Sequence, residues 1–476
     1  MSTERPGDPT AVDLAELALV EAELDQRWPE TKIEPSLTRI AALMDLLGSP
    51  QRNYPAIHVA GTNGKTSVTR MIDALLTALH RRTGRTTSPH LQLATERISV
   101  DGTPIGIRTY IDTYREIEPY IRMVDAQSQA AGGPAMSKFE VTTAMAYAAF
   151  AEAPVDVAVI ETGMGGTWDA TNVIGAQVAV ITPIGLDHVD YLGPDLASIA
   201  GEKAGIIHRG RDSEVEGMPG VDTVAIIAEQ EPEAMDVLLR RAVEADAAVA
   251  RAGSEFRVLR RQIAIGGQQL ELQGLGGVYD DIFLPLHGEH QARNASLALA
   301  AVEAFFGAGP DRQLDVDAVR AGFASVVNPG RLERVRSAPT VFLDAAHNPH
   351  GAKALAAALS AEFDFRKLVG VVSVMGDKDV DGILDALEPV FDELVVTHNG
   401  SSRAMGVDEL ADRAVARFGD ERVVVAPTLA DALETAIGLA EEVAEPGEAV
   451  SGAGVVVTGS VVTAGLARSL FGKDPA

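Results

Sequence analysis

Residues 59–67, Val59-Ala60-Gly61-Thr62-Asn63-Gly64-Lys65-Thr66-Ser67, join an apolar run to a helical pattern through a glycine-rich turn, the arrangement of a phosphate-binding loop. Upstream, Ala56 to Ala60 reads as a buried strand. Downstream, Val68, Ile72, Leu75, Leu76 and Leu79 recur at helical spacing, and Gly84 is expected to stop the helix. A helix that starts directly after such a turn presents unpaired backbone N–H groups and its positive dipole end to an anion. Glycines let the backbone approach without a Cβ in the way. In that setting Lys65 reaches the outer phosphates, and the hydroxyl of Thr66 or Ser67 ligates Mg²⁺. The common motif has four residues between its glycines; here only Thr62 and Asn63 separate Gly61 from Gly64, a shortened variant.

At 476 residues the chain is too long for one core, so two or three domains are expected. A formal charge of −28, from 68 acidic and 40 basic residues, argues against nucleic acid or an anionic membrane as partner. Anionic ligands then have to be held by local groups such as Lys65, Mg²⁺ and helix ends. The absence of cysteine excludes disulfides, thiolate metal sites and a thiol nucleophile. The N-terminus, MSTERPGDPT, shows no basic region followed by an apolar core, and no apolar run is long enough for a bilayer. A cytoplasmic protein is the expectation.

Before the loop, Val12 to Arg27 and Leu37 to Leu47 carry helical spacing, with Ser36 as N-cap and Gly48 as stop. After it, strand candidates at 155–160, 178–182 and 224–227 alternate with helical stretches such as 139–150 and 234–245, which signals a mostly parallel sheet covered by helices. Between Arg261 and Leu286, Ile263, Ile265, Leu270 and Leu272 alternate around Gly266-Gly267, suggesting an antiparallel hairpin added to the main sheet. A second α/β series follows Pro329, with strand candidates at 341–343, 368–374, 394–397, 423–426 and 455–457. The fold class is therefore α/β: a P-loop-type, mostly parallel domain over 1–328, and a smaller Rossmann-like, doubly wound domain over 329–476.

Glu161 ends an apolar strand and precedes Thr162-Gly163-Met164-Gly165-Gly166, a position from which a carboxylate can hold Mg²⁺ beside a phosphate loop. His188, after Asp187 at the end of the next strand, is either a metal ligand oriented by its neighbour or a solvated loop residue. Lys203 reads as a salt-bridge partner or a helix C-terminal charge. Asp344 and His347 lie on a strand-to-helix loop, where function and helix capping are both open, and Arg331 points either to a phosphate or to an interdomain ion pair.

Taken together, GTNGKTS at Gly61, SPHL at Ser88, TERI at Thr95, FEVTTAMA at Phe139, ETGMGGTWDATN at Glu161, LDHVDYLG at Leu186, EKAGI at Glu202, GEHQARNASLAL at Gly288, PGRLE at Pro329, LDAAHNPHG at Leu343, DKD at Asp377 and VTGS at Val457 resemble the folylpolyglutamate synthase and dihydrofolate synthase family, relatives of the muramyl peptide ligases. The resemblance runs along nearly the whole chain. It implies a loop Gly61, Thr62, Asn63, Gly64, Lys65, Thr66, Ser67 that binds ATP with Asn294, Arg331 and Asp344. It implies metal ligation by Glu161, His188 and the loop hydroxyl, with two Mg²⁺ ions and a carbamylated Lys203. It implies a pterin site lined by Ser88, Pro89, His90, Leu91, Ser137, Phe139 and Glu140, and places His347 and Ser460 toward the nucleotide or the incoming glutamate. Two departures stand out: Thr66 replaces a frequent glycine, and Thr167 replaces a frequent arginine.

The activity so implied joins L-glutamate to dihydropteroate or a reduced folate through an acyl phosphate, in a monomer whose partners are small molecules. Lys65, Lys203, Asp344 and His347 are its catalytic candidates, with Asp344 or His347 as the base for the glutamate ammonium. A muramyl peptide ligase is disfavoured because too few residues precede Gly61 for a further substrate-binding domain. A P-loop switch without ligase activity is disfavoured by the combined presence of Lys65, Glu161, His188, Lys203 and Asp344.

Overall fold

Runs of Val, Ile and Ala, apolar on both faces, form strands buried under helices on either side, and they assemble into two large sheets. A computed structural model describes residues 10–27, 34–210, 223–310, 312–442 and 452–476; the segment 1–9, read as carrying no leader, lies outside them. The first sheet contains β1 (Ala56–Ala60), β2 (Thr83–Thr86), β3 (Ile98–Val100), β4 (Thr103–Pro104), β5 (Val157–Glu161), β6 (Val178–Ile181), β7 (Val224–Ile227) and β8 (Ala248–Arg251), in the order β4-β3-β2-β5-β1-β6-β7-β8. All its pairings are parallel except the β2-β3-β4 edge. Register sets Val59 opposite Glu161 on one side of β1 and Ala60 opposite Ile181 on the other. The carboxyl ends of β5, β1 and β6 therefore emerge side by side, where open α/β sheets bind ligands.

Three local expectations need correction. The helix after the phosphate loop runs Lys65–Ala78 and ends before His80, whose φ of 60° turns the chain; Gly84 lies inside β2 instead of stopping the helix. Glycine is required there by packing, because a Cβ at Gly84 would sit 2.6 Å from the Phe150 ring. The helix Thr38–Leu46 has Leu37 at its N-cap, and Ser36 lies one residue further out, its hydroxyl accepting from the Thr38 N–H at 3.1 Å.

The third correction concerns the hairpin. β9 (Arg257–Ala264), β10 (Gly267–Gln273) and β11 (Val278–Leu284) form a separate three-stranded antiparallel sheet, not an addition to the first. Leu270, Leu272, Tyr279, Ile282 and Leu284 alternate onto one face and bury it in the core built around the helix Glu289–Phe305.

Past Gly330 come β12 (Glu333–Ser337), β13 (Thr340–Leu343), β14 (Lys367–Val372), β15 (Glu393–Val396), β16 (Val423–Val425) and β17 (Ala453–Thr458), in the order β12-β13-β17-β14-β15-β16. Only β12-β13 is antiparallel. The loops after β13, β17 and β14 are neighbours at the carboxyl edge, as those after β5, β1 and β6 are in the first sheet. Among the described residues no helix is long and apolar enough to cross a membrane.

Replacing Gly84 by Ala should lower stability by about 1–3 kcal/mol through overpacking against Phe150. The double variant Gly84→Ala/Phe150→Leu should recover part of that loss, as read from urea unfolding midpoints.

Candidate active site between the two sheets

A cleft with a volume of about 2350 Å³ is walled by the phosphate loop and the β5 and β6 ends on one side, and by the loops after β13 and β14 on the other. Two glycines set its floor. Gly61 packs so tightly that a Cβ would fall 1.8 Å from Thr182 Oγ1, and at Gly64, with φ of 89°, a Cβ would fall 2.8 Å from Asn294 Oδ1. The Thr62 and Asn63 N–H groups donate to Pro183 O at 3.1 and 3.3 Å, so the loop is braced on the chain leaving β6. Gly64 is the N-cap of the helix Lys65–Ala78 and contributes no side-chain cap, so the helix end stays open to an anion. Lys65 Nζ curls over the loop and donates to Gly61 O at 3.1 Å and Thr62 O at 3.3 Å.

The two loop hydroxyls part company. Thr66 Oγ1 donates to Glu161 Oε1 at 2.9 Å. Ser67 Oγ turns inward and accepts from Asn328 Nδ2 at 2.8 Å and Gln291 Nε2 at 3.3 Å. Glu161 is buried, and its Oε2 has no hydrogen-bond partner. Burial pushes its carboxyl up, opposed by the charge of Lys65 and the Thr66 hydroxyl, and the Ser88 backbone N–H also faces it. A buried carboxylate oxygen left unpaired beside a hydroxyl is the donor set that a hard cation completes. No group of three or more His, Asp or Glu among the described residues closes around a metal by itself. Mg²⁺ fits such an open site, because it keeps waters and substrate phosphates in its shell.

Lys203, on the helix Leu196–Ala204, donates from Nζ to Gly61 O at 2.8 Å. The bond is to a carbonyl, not to the carboxylate that the salt-bridge reading required. Burial, with the charge of Lys65 second, pushes its ammonium down to about 7. His188, with φ of 51°, stands on the cleft wall with Nε2 3.9 Å from Asp187 Oδ1, and burial lowers its imidazole to about 4. Thr167, where the related family often carries arginine, donates from N and Oγ1 to Glu202 O at 2.9 and 3.2 Å, tying the glycine-rich loop after β5 to the helix of Lys203.

Across the cleft, both Asp344 oxygens accept backbone N–H groups, from Ala346 at 2.8 Å and Leu332 at 2.9 Å. That carboxylate organises its own loop, and burial pushes it up. His347 shares Nδ1 with Ala345 O at 2.9 Å, which makes Nδ1 the protonated nitrogen and leaves the Nε2 lone pair free to accept. Burial, reinforced by Lys378, lowers it to about 4. Arg331 and Asn294 also line the cleft, Asn294 anchored through Gln291 Oε1 at 3.1 Å.

Some expected residues lie elsewhere. Ser460 is buried as the N-cap of the helix Val461–Leu470, its hydroxyl engaged with Thr463 and Asn399, and it does not line the cleft. His90 accepts from Arg97 Nε at 3.0 Å, and the Leu91 N–H is held by Glu96 at 2.8 Å; neither reaches the cleft wall, whereas Ser88, Pro89, Ser137, Phe139 and Glu140 do. Glu140 is already paired with Arg39 Nε at 3.1 Å. Residue-by-residue reading passed over Arg39, Asn348 and Lys378; the DKD and HNP strings were visible, but nothing along the chain shows what they touch.

The Mur ligase middle domain family matches residues 59–302, and the Mur ligase, glutamate ligase domain family matches residues 330–461. The chain is 70% identical over 474 residues to a dihydrofolate synthase/folylpolyglutamate synthase of Mycobacterium tuberculosis, covering 98% of this chain and 96% of that protein. Its fold superposes on Mycobacterium tuberculosis folylpolyglutamate synthase complexed with ADP with a TM-score of 0.91 at 68% identity, covering 98% of this chain and 100% of the other. Against Escherichia coli FolC in complex with DHPP and ADP the TM-score is 0.79 at 29% identity, covering 96% and 97%.

The neutral state of His347 is directly measurable. Its imidazole should titrate near pH 4 by NMR, against an ordinary value of 6.5. Because the folded form then binds the proton more weakly than the unfolded chain, this residue should erode stability as pH falls from about 6.5 toward about 4, and not above.

Proposed function

The chain belongs to the folylpolyglutamate synthase and dihydrofolate synthase family of Mur ligases, and from that premise we propose that this ADP-forming ligase joins L-glutamate to the carboxylate of both dihydropteroate and reduced folates. The observation that carries the reading is the facing of two walls: an open helix end with Lys65 opposite a neutral imidazole with a free Nε2. One wall suits a phosphoryl donor and the other an amine.

A carboxylate has a poor leaving group and a weakly electrophilic carbon, so it does not condense with an amine unaided. In the proposed first step a carboxylate oxygen bonds to the γ-phosphorus of ATP, the bond to the β-bridging oxygen breaks, and ADP leaves. Lys65 and the helix N–H groups offset the charge on the transferred oxygens. Mg²⁺, when bound, supplies further countercharge to those oxygens. Thr66 and Glu161 would hold one ion, and His188 with carbamylated Lys203 a second; Ser67, engaged inward, is assigned to packing. A lysine whose ammonium is lowered to about 7 is partly neutral near pH 7, as carbamylation demands: the amine lone pair bonds to CO₂ carbon, one proton leaves, and an anionic ligand replaces a cation.

Glutamate arrives as an ammonium ion and must lose a proton before attack. His347 Nε2 is the assigned acceptor, while Asp344 holds the loop that carries it. The amine then bonds to the acyl carbon and phosphate departs from the tetrahedral intermediate. Arg331 and Asn294 are assigned to ATP, and Ser88, Pro89, Ser137, Phe139 and Glu140 to the pterin side. Closure of the two domains, divided near residue 329, would exclude water from the acyl phosphate.

Phosphate release should require a folate and glutamate together, with both dihydropteroate and tetrahydrofolate as acceptors; turnover with one acceptor alone would remove the dual assignment. The hydroxyl assignment is separable as well. Thr66→Val should raise the Mg²⁺ concentration for half-maximal activity on the order of tenfold to a hundredfold, whereas Ser67→Ala should alter the unfolding midpoint with little change in Mg²⁺ demand.

A further inference from the structure

Asp187 has no task in the chemistry above, yet two side chains of the second domain, Lys378 and Asn348, bond to it across the boundary. Its Oδ1 accepts from Lys378 Nζ at 2.8 Å, and its Oδ2 accepts from Asn348 Nδ2 at 3.2 Å. Asp187 and Lys378 are each only 10% exposed. The same Asn348 Nδ2 reaches Asn63 Oδ1 in the phosphate loop at 3.1 Å, and Asn63 Nδ2 meets His350 Nδ1 at 3.0 Å. The start of the helix Pro349–Glu362 is thus docked on both the phosphate loop and Asp187. On the far side Lys378 is itself held: its N–H donates to Met375 O at 3.1 Å, and the adjacent Asp377 takes both of its oxygens to Arg403 Nη2 at 2.9 and 3.1 Å.

We propose that Asp187 is a positioning residue, a latch that holds the second domain's Lys378 and Asn348 over the phosphate loop and so places the His347 loop for the incoming amine. His347 Nε2 lies 3.9 Å from Asp187 Oδ2, too far for a hydrogen bond, so Asp187 acts on it through loop position and not by taking its proton. The latch is polar and local. Interdomain surfaces of that kind open readily unless a specific contact holds them. Removing one member of a largely buried pair leaves the other charge uncompensated, so the contact is lost as a unit.

The kinetic arm of the test rests on the ligase reading; the scattering arm does not. Asp187→Asn and Lys378→Met are made in the full chain, singly and together. Each single variant should raise KM for glutamate about tenfold, leave ADP affinity and Mg²⁺ demand unchanged, and increase the radius of gyration by small-angle scattering. The double variant should be no worse than either single one, since both remove one interaction. Unchanged glutamate KM and unchanged scattering would overturn the latch. So would a joint loss of ADP affinity and Mg²⁺ response in Asp187→Asn, which would mean that it acts through His188. Lys378→Met keeps the Asp187 carboxylate beside His188 and carries the test if Asp187→Asn fails to fold. A wild-type chain without glutamate-dependent turnover would defeat the ligase reading, while the scattering comparison would still decide the latch.

Discussion

The contact between Gly61 and Thr182 is the constraint on which the cleft depends. A backbone can pass that close to a neighbouring strand only where no Cβ intervenes, and the approach lets the Thr62 and Asn63 N–H groups bond to Pro183 O. The phosphate loop is thereby welded to the end of β6, while Thr66 ties it to the end of β5 through Glu161. Loop, carboxylate and the Asp187-His188 pair then form one rigid edge. Lys203 is drawn into it as well, because its partner is the carbonyl of the same Gly61.

A protein with a formal charge of −28 that handles several anions has to concentrate its cations. Lys65, Lys203, Arg331 and Lys378 all reach the cleft wall, and Lys65 comes close enough to Lys203 to disfavour its charge. Burial works on the opposite sign too, raising Glu161 and Asp344. Each unusual protonation state is set by removal from water more than by any one neighbour. The cleft is therefore tuned by depth, which requires both domains to be present.

Much of this architecture was legible along the chain. The apolar runs at β1, β5, β6, β14 and β17 declare buried parallel strands because both of their faces are covered, and the Gly-Lys-Thr turn declares a helix end facing an anion. Where reading failed, a packing partner distant in sequence was responsible. Gly84 looks like a helix stop until Phe150 is placed against it, the hairpin between Arg261 and Leu286 looks like an addition to the main sheet until the helix Glu289–Phe305 lies under it, and Ser460 is placed toward a ligand by resemblance until Thr463 and Asn399 close over it. Resemblance pointed to both Thr66 and Ser67, but it could not say which of the two hydroxyls turns toward Glu161.

By itself the sequence determined the α/β class, the phosphate loop and the kind of chemistry the chain can carry, since periodicity, glycine placement and motif order are properties of neighbours along the chain. Only the tertiary structure decided that Thr66 and not Ser67 meets Glu161, that the Nε2 and not the Nδ1 of His347 is free, and that Asp187 joins Lys378 across the boundary. The first and third depend on side chains brought together from distant positions, and the second on how the loop folds back onto the Ala345 carbonyl; no local pattern records which way a side chain turns once its partner arrives.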